Sequence, residues 1–430
     1  MKKRSLERID YFYFFVVVIY AAMAVPATKS MVRPWNGGVI EYLIPWGTTI
    51  FMVLRHRIRF DNVILLKVIG IYMFWVLLQT IKIDQFYDGS ILFLLNIIIS
   101  YILIKIYGVT MFSLYEKIVT HLSVVAIIGW VLQVIIPGSF TEVMKATSIH
   151  DFPSYNTIIA NNIFFSLSSY HQYGGYEYFL PRNSGFSWEP GRYAAMVVFA
   201  LYFNLMKQSR KAKDILSFWV LFLALLTTQS TTGYAALVVL LVYFLKKYKN
   251  PIIKILSSYV VFIPLLVVII VAPFMLEKIS AGLSVESELA RLTEIAQNRT
   301  QGDRVVVPQR FVSLYLNWMN IKESPILGYG IDSANSFVKT QISPFLSPTG
   351  GSLRIFAQFG LLLGAIVYFQ LYKSSVFFSK YYKYKGNWCF FFVFSVLSVS
   401  YSFWMVPIYM SLWMFTLFYN KNDILKDYAC

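Results

Sequence analysis

The stretch RNSGFSWEPGRYAAMVVFAL (Arg182–Leu201) sets two arginines and a glutamate against an apolar run long enough to enter a membrane. Charge at such a boundary is costly, and ionisable groups held near membrane depth are functional by default. The residue before a proline is pushed out of the α region, and proline itself suits the first helical turn. Glu189-Pro190 therefore reads as the start of a span, with Glu189 at its N-terminal lip, where the helix dipole attracts negative charge. Arg192 lies one turn into the helix, and Arg182 approaches from the preceding loop. A local cap with a Glu189–Arg192 ion pair is the plainest reading. The excess of positive charge offers a second one, an anion site.

Outward from this stretch the whole chain is apolar. Of 430 residues, 57% are hydrophobic, 18% aromatic and only 14% charged, whereas a soluble globule carries about 25% charged residues. Apolar runs recur near 11–27, 38–54, 62–80, 90–107, 118–137, 188–206, 214–229, 231–246, 252–274, 352–372, 387–403 and 405–419. The expected fold is an all-α polytopic membrane protein with about twelve spans. The first run, Tyr11 to Pro26, follows MKKRSLERID without a small-residue cleavage site, so it is expected to stay in the mature protein. Ser230-Thr231-Thr232-Gly233 is a tight polar link that makes neighbouring helices a hairpin.

The net charge of +17 sits mostly in short loops between apolar runs. There it orients helices, and a nucleic-acid partner is not expected. Placing KKRSLER, RHRIR (55–59), KQSRKAK (207–213), KKYK (246–249) and KSSVFFSKYYKYK (373–385) on the cytoplasmic side puts both termini there too. The expected layout is then residues 1–137 as spans one to five, 138–187 as a long outer loop, 188–274 as spans six to nine, 275–351 as a second outer loop with amphipathic helices, and 352–430 as three spans and a cytoplasmic tail. The second loop holds seven basic and seven acidic residues. Long loops escape the charge rule, so their arginines need another explanation.

Arginine presents a planar, permanently charged fork that suits phosphate and diphosphate, whereas lysine acts as a point charge. The basic residues before the sixth span and in the second loop are mostly arginine, and most cytoplasmic ones are lysine. An outward arginine pocket at the membrane surface fits a lipid-linked diphosphate. The candidates are Arg182, Arg192 and Arg310, with Arg304 and Arg354 behind them. The aromatic-rich run SSYHQYGGYEY and Trp188 could stack on sugar rings, through His171, Tyr173, Tyr176 and Trp188. No cofactor is called for. Metal motifs are missing (no DxD, no HExxH), and Glu286-Ser287-Glu288 reads as a solvated helix face. Cys389 and Cys430 form neither a disulfide framework nor a metal site.

Three blocks together resemble the bacterial O-antigen polymerase family, the Wzy-type enzymes of the O-antigen ligase/polymerase superfamily. RNSGFSWEPGRYA (182–194) is similar to that family's Arg-x-x-Gly-x-x-x-Glu-Pro block, and TTQSTTGYAAL (227–237) to its Ser-(Arg/Thr)-Thr-Gly hairpin turn. RFVSLYLNWMNIKESPILGYGIDS (310–333) is similar to its arginine, amphipathic helix and Pro-x-x-Gly-x-Gly turn, with SPTGGSLRIFAQFGLLLG (347–364) leading into the next span. The resemblance implies a GT-C-like, metal-independent glycosyltransferase of the bacterial inner membrane, with its active site on the periplasmic face. It implies polymerisation of undecaprenyl-diphosphate-linked repeat units, the growing chain passing to the non-reducing-end sugar of an incoming unit. Membrane lipids, a chain-length regulator and a flippase are the implied partners.

One departure matters. Ligases of the superfamily carry a His-Asn pair ahead of the glycine matched by Gly360, and the corresponding positions here are Thr349 and Gly350. That weighs against a ligase and removes its candidate proton acceptor. Glu189 and Arg310 are the expected catalytic pair, Glu189 as base or acceptor-orienting group. A ligase and a lipid-linked oligosaccharide flippase are the alternatives. A flippase should show two similar halves with arginines in a central cavity, and no internal repeat is visible.

Overall fold

With no water in the bilayer core to satisfy backbone groups, an apolar chain of this kind must bond each spanning segment internally, which selects helices. The computed structural model describes residues 6–22, 39–148 (without 59, 61, 87 and 88), 158–247 (without 169–171, 174, 175, 178, 179 and 208–210), 287, 289–292, 294, and 308–419 (without 309, 332, 347, 349 and 350). The expected span at 252–274 and the charged helix face at Glu286 and Glu288 lie outside the described residues.

The chain begins with α1 (Arg8–Ala22), α2 (Val39–His56), α3 (Val63–Ile83), α4 (Gly89–Tyr107), α5 (Thr110–Ile135) and the short α6 (Pro137–Ala146). Two antiparallel hairpins follow, β1 (Ile158–Asn161) with β2 (Ser166–Ser168) and β3 (Gln172–Tyr173) with β4 (Tyr176–Glu177). Then come α7 (Pro190–Met206), α8 (Ala212–Thr227), α9 (Thr231–Lys247), α10 (Arg310–Glu323), α11 (Arg354–Tyr381), α12 (Cys389–Ser398), α13 (Pro407–Trp413) and α14 (Phe415–Phe418). By length and apolarity α3, α4, α5 and α11 can each cross a membrane. Large apolar side chains on them, including Leu66, Phe74 and Ile81 of α3 and Leu362, Ile366 and Phe369 of α11, are exposed. That suits a lipid surface and not water. The protein is mostly helical and integral to the membrane.

At the centre stands α7. Every residue from Pro190 to Met206 is buried, as a helix apolar on all sides must be. It packs against α5, α8 and α9, and α9 packs in turn on α12. Gly233 at the start of α9 lets that helix approach, since a Cβ there would stand 2.9 Å from the Ala194 methyl carbon.

Three local expectations differ from the fold. The run read as a loop from 138 to 187 contains α6 and two hairpins; the first hairpin turns on Asn162, whose Oδ1 accepts from the amides of Phe164 and Phe165. The expected span 352–372 continues as helix to Tyr381, because serine, lysine and tyrosine outside the hydrocarbon still permit helix. The run 387–419, read as two spans, breaks after Ser398 into a 3-10 turn at Phe403–Met405 before Pro407 starts α13. Proline in the first turn fixes that restart.

At one end of the bundle a buried ionic cluster ties three helices together. Lys207 Nζ pairs with Glu116 Oε2 and Asp214 Oδ1, each at 2.7 Å, and Asn204 Nδ2 donates to Glu116 Oε1 at 2.8 Å. Burial pulls the Lys207 ammonium pKa down, but Glu116 and Asp214 outweigh it and lift it above the usual lysine value.

Candidate functional site

At the opposite end of α7 the three sequence blocks converge. Glu189 holds the N-cap position in extended conformation (φ −141°, ψ 135°), yet its side chain makes no cap hydrogen bond. Its Oε1 instead accepts from Arg310 Nη2 at 3.0 Å and from the Tyr401 hydroxyl at 2.6 Å. The local cap with a Glu189–Arg192 pair is therefore not what the carboxylate forms. Its ion pair is with the first residue of α10, 121 positions away. The Arg310 guanidinium carbon also lies 5.0 Å from the centre of the Tyr401 ring, a cation–π contact.

Arg182 and Arg192 join from the first block. Both are almost fully buried, 7% and 5% exposed. Arg182 Nε donates to the Thr228 carbonyl at 3.0 Å, and Arg192, one turn below Glu189, lies in electrostatic reach of Glu189, Tyr401 and Tyr409. Arg182 and Arg310 also act on Tyr401. Arg310 and Arg192 act on the Glu189 carboxylate, and Arg182 joins them through Tyr401.

The polar hairpin turn between α8 and α9 is the scaffold. Its backbone and side chains hold the strand of chain carrying Arg182: Asn183 N donates to Thr227 O at 2.9 Å, Asn183 Nδ2 to Thr227 Oγ1 at 2.9 Å, and Gln229 Nε2 to Leu180 O at 3.0 Å. On its other side Thr232 Oγ1 and Ser400 Oγ share a hydrogen bond of 2.6 Å, next to Tyr401. The glycine of the first block, Gly185, sits at φ 54°, and a Cβ there would stand 2.7 Å from the Tyr193 ring. Only glycine meets both demands.

The third block places Arg310 through its far end. The turn after α10 docks on a break in α11 at Gly360 (φ 80°, ψ 171°). Leu361 N donates to Pro325 O at 2.8 Å, Tyr329 N to Ala357 O at 2.9 Å, and Gly330 N to Gln358 O at 3.0 Å. The loop thus satisfies backbone groups that the break would otherwise strand, the condition for an interrupted helix at membrane depth. Gln79 of α3 adds a hydrogen bond to the Gln358 carbonyl at 2.8 Å.

The remaining candidates are scattered. Arg354 opens α11, half-exposed, with Nε shielded and unbonded among the described residues. It makes none of the contacts that define the Glu189 cluster. Trp188 is half-buried beside Glu189. Tyr173 and Tyr176 pair through their backbones across β3 and β4. Arg304, His171, Thr349 and Gly350 lie outside the described residues. Tyr401 was not visible from sequence: it is one of 31 tyrosines, in a run that reads as apolar span. Gly191 had a fainter signal, a glycine directly after the proline that starts a span.

Residues 216–369 match the family model described as O-antigen ligase. The matched segment takes in the hairpin turn, Arg310 and the glycine-rich docking loop, and supports a glycan transferase of the O-antigen ligase/polymerase type. It covers less than half of the chain and stops short of both Glu189 and Tyr401. No curated protein matches the sequence.

Proposed function

We propose that the chain is an O-antigen-type polysaccharide polymerase, transferring a growing glycan from an undecaprenyl-diphosphate carrier to the non-reducing-end sugar of a lipid-linked repeat unit. The observation that carries this is the Glu189–Arg310–Tyr401 constellation at the head of α7, with Arg182 and Arg192 beside it. In the reaction the acceptor hydroxyl gives its proton to Glu189 while its oxygen bonds to the anomeric carbon. The bond from that carbon to the diphosphate oxygen breaks, and the electron pair leaves with the diphosphate. Positive charge fixed in advance stabilises the leaving anion, usually the largest single contribution to catalysis. Arg182, Arg192 and Arg310 supply it, with Arg304 and Arg354 as further diphosphate contacts. On this reading Trp188, His171, Tyr173 and Tyr176 bind the glycan. The reaction runs without metal, in a GT-C-like protein of about twelve spans.

The site faces the periplasm, and both termini face the cytoplasm. The buried Lys207 cluster at the other end of α7, in a lysine-rich segment, favours this orientation. A chain-length regulator and a flippase would then be working partners. A ligase remains the second reading, favoured by the description of the matched family model. Reconstitution with one synthetic lipid-linked repeat unit separates them. A ladder of lengths marks a polymerase, one transfer to a foreign acceptor a ligase, and no covalent change a transporter.

A further inference from the structure

We propose that Tyr401 is a positioning residue that reserves one oxygen of the Glu189 carboxylate for the acceptor hydroxyl; this rests on the transferase reading above. A carboxylate has two oxygens, and here they are used unequally. Oε1 accepts from the Tyr401 hydroxyl at 2.6 Å and from Arg310 Nη2 at 3.0 Å. Oε2 takes no hydrogen bond among the described residues, and the Glu189 side chain keeps 16% of its surface open. Two charge-assisted donors on Oε1 fix the plane of the carboxylate and leave Oε2 as the acceptor of an incoming hydroxyl proton. Tyr401 keeps its own proton throughout, donating to Oε1.

The backbone is shaped for this contact. A Cβ on Gly191 would stand 2.2 Å from the Tyr401 hydroxyl oxygen, closer than any real contact of that kind. The glycine two residues past Glu189 is therefore a notch through which a side chain 212 positions away reaches the carboxylate. Tyr401 is held from both sides, by the Ser400–Thr232 hydrogen bond of 2.6 Å and by Arg310 over its ring at 5.0 Å. In Glu-Pro-Gly, glutamate brings the charge, proline starts the helix, and glycine admits the tyrosine. Each residue of the tripeptide has its own physical task.

The test is a kinetic double-mutant cycle on the full-length protein in lipid vesicles, using the synthetic lipid-linked repeat unit. Tyr401→Phe keeps the ring over Arg310 and removes only the hydroxyl. It should lower kcat about tenfold or more while KM and melting temperature stay near wild type, the loss fitting a hydrogen bond to a charged group. Gly191→Ala keeps the hydroxyl but displaces it, and should give a similar kcat loss. The double variant should fall no further than either single one, since both remove the same contact. Multiplying losses, or a Tyr401→Phe protein with wild-type kcat, overturns the inference. Should Tyr401→Phe fail to insert, Gly191→Ala alone decides, and wild-type kcat there overturns it. Glu189→Gln in parallel separates the two levels. If it is inactive while Tyr401→Phe keeps wild-type kcat, positioning fails and the base survives; if it is active, the assignment of Glu189 as base falls and the inference with it.

Discussion

At Arg310 the choice of guanidinium over ammonium is physical. The side chain reaches Glu189 through Nη2 while its guanidinium carbon lies 5.0 Å from the centre of the Tyr401 ring, a double contact that a planar fork makes more readily than an ammonium. Arg310→Lys should keep normal expression yet lose at least about tenfold in kcat, and Arg310→Ala should lose more, because a developing diphosphate charge then goes unmatched. Rates for both variants with one synthetic substrate check this; a fully active Arg310→Lys would mean that charge alone suffices. Glu189 and Arg310 were legible in the sequence because charges are scarce in so apolar a chain, and each one near a span demands a reason. That they meet was not legible, since nothing local records a pairing across 121 positions. Tyr401 carried no signal at all, being an aromatic residue among many.

Elements owe their placement to a few backbone positions. At Gly360 a Cβ would stand 1.8 Å from the Ile326 carbonyl oxygen, and at Gly328 one would stand 2.3 Å from the Gln358 carbonyl oxygen, both at positive φ. Gly360→Ala and Gly328→Ala should therefore undo the docking of the α10 turn on the broken α11, lowering melting temperature in detergent and, with Arg310 displaced, activity. Gly70→Ala in α3 is the control: apart from its chain neighbours and the backbone of its own helix, no atom lies within 4 Å of its would-be Cβ, so its melting temperature should not fall. Equal stability for all three would contradict the docking account. The end of α10 beside Ser324-Pro325 could be read from the sequence, because proline stops helices. The break at Gly360 could not, since glycine inside an apolar run is common in membrane helices and its partner loop comes from another segment. The break between α12 and α13 was legible to within a few residues, since 387–403 and 405–419 read as separate spans, but its start at Ser398 was not.

On the scale of the whole molecule, α7 is the axis, with an ionic cluster at one end and the candidate site at the other. Lys207→Met removes the cation that pairs with both Glu116 and Asp214. It leaves buried carboxylates unpaired, which costs about 3–5 kcal/mol for a fully buried pair and less here, because Lys207 is partly exposed. Melting temperature should drop while the surviving protein keeps its turnover; lost turnover at unchanged stability would contradict a purely structural role. Orientation follows from a cysteine-free background carrying Val143→Cys or Lys211→Cys, both at exposed positions. A membrane-impermeant maleimide added from outside should label the first and spare the second, and the reverse pattern would invert the topology. The central claim, glycan transfer at Glu189, meets its most direct test in vesicles holding the purified protein and one synthetic lipid-linked repeat unit. The wild type should build a ladder of lengths, and Glu189→Gln should slow it by about 10²–10⁴-fold. A full ladder from Glu189→Gln, or none from the wild type, would contradict it.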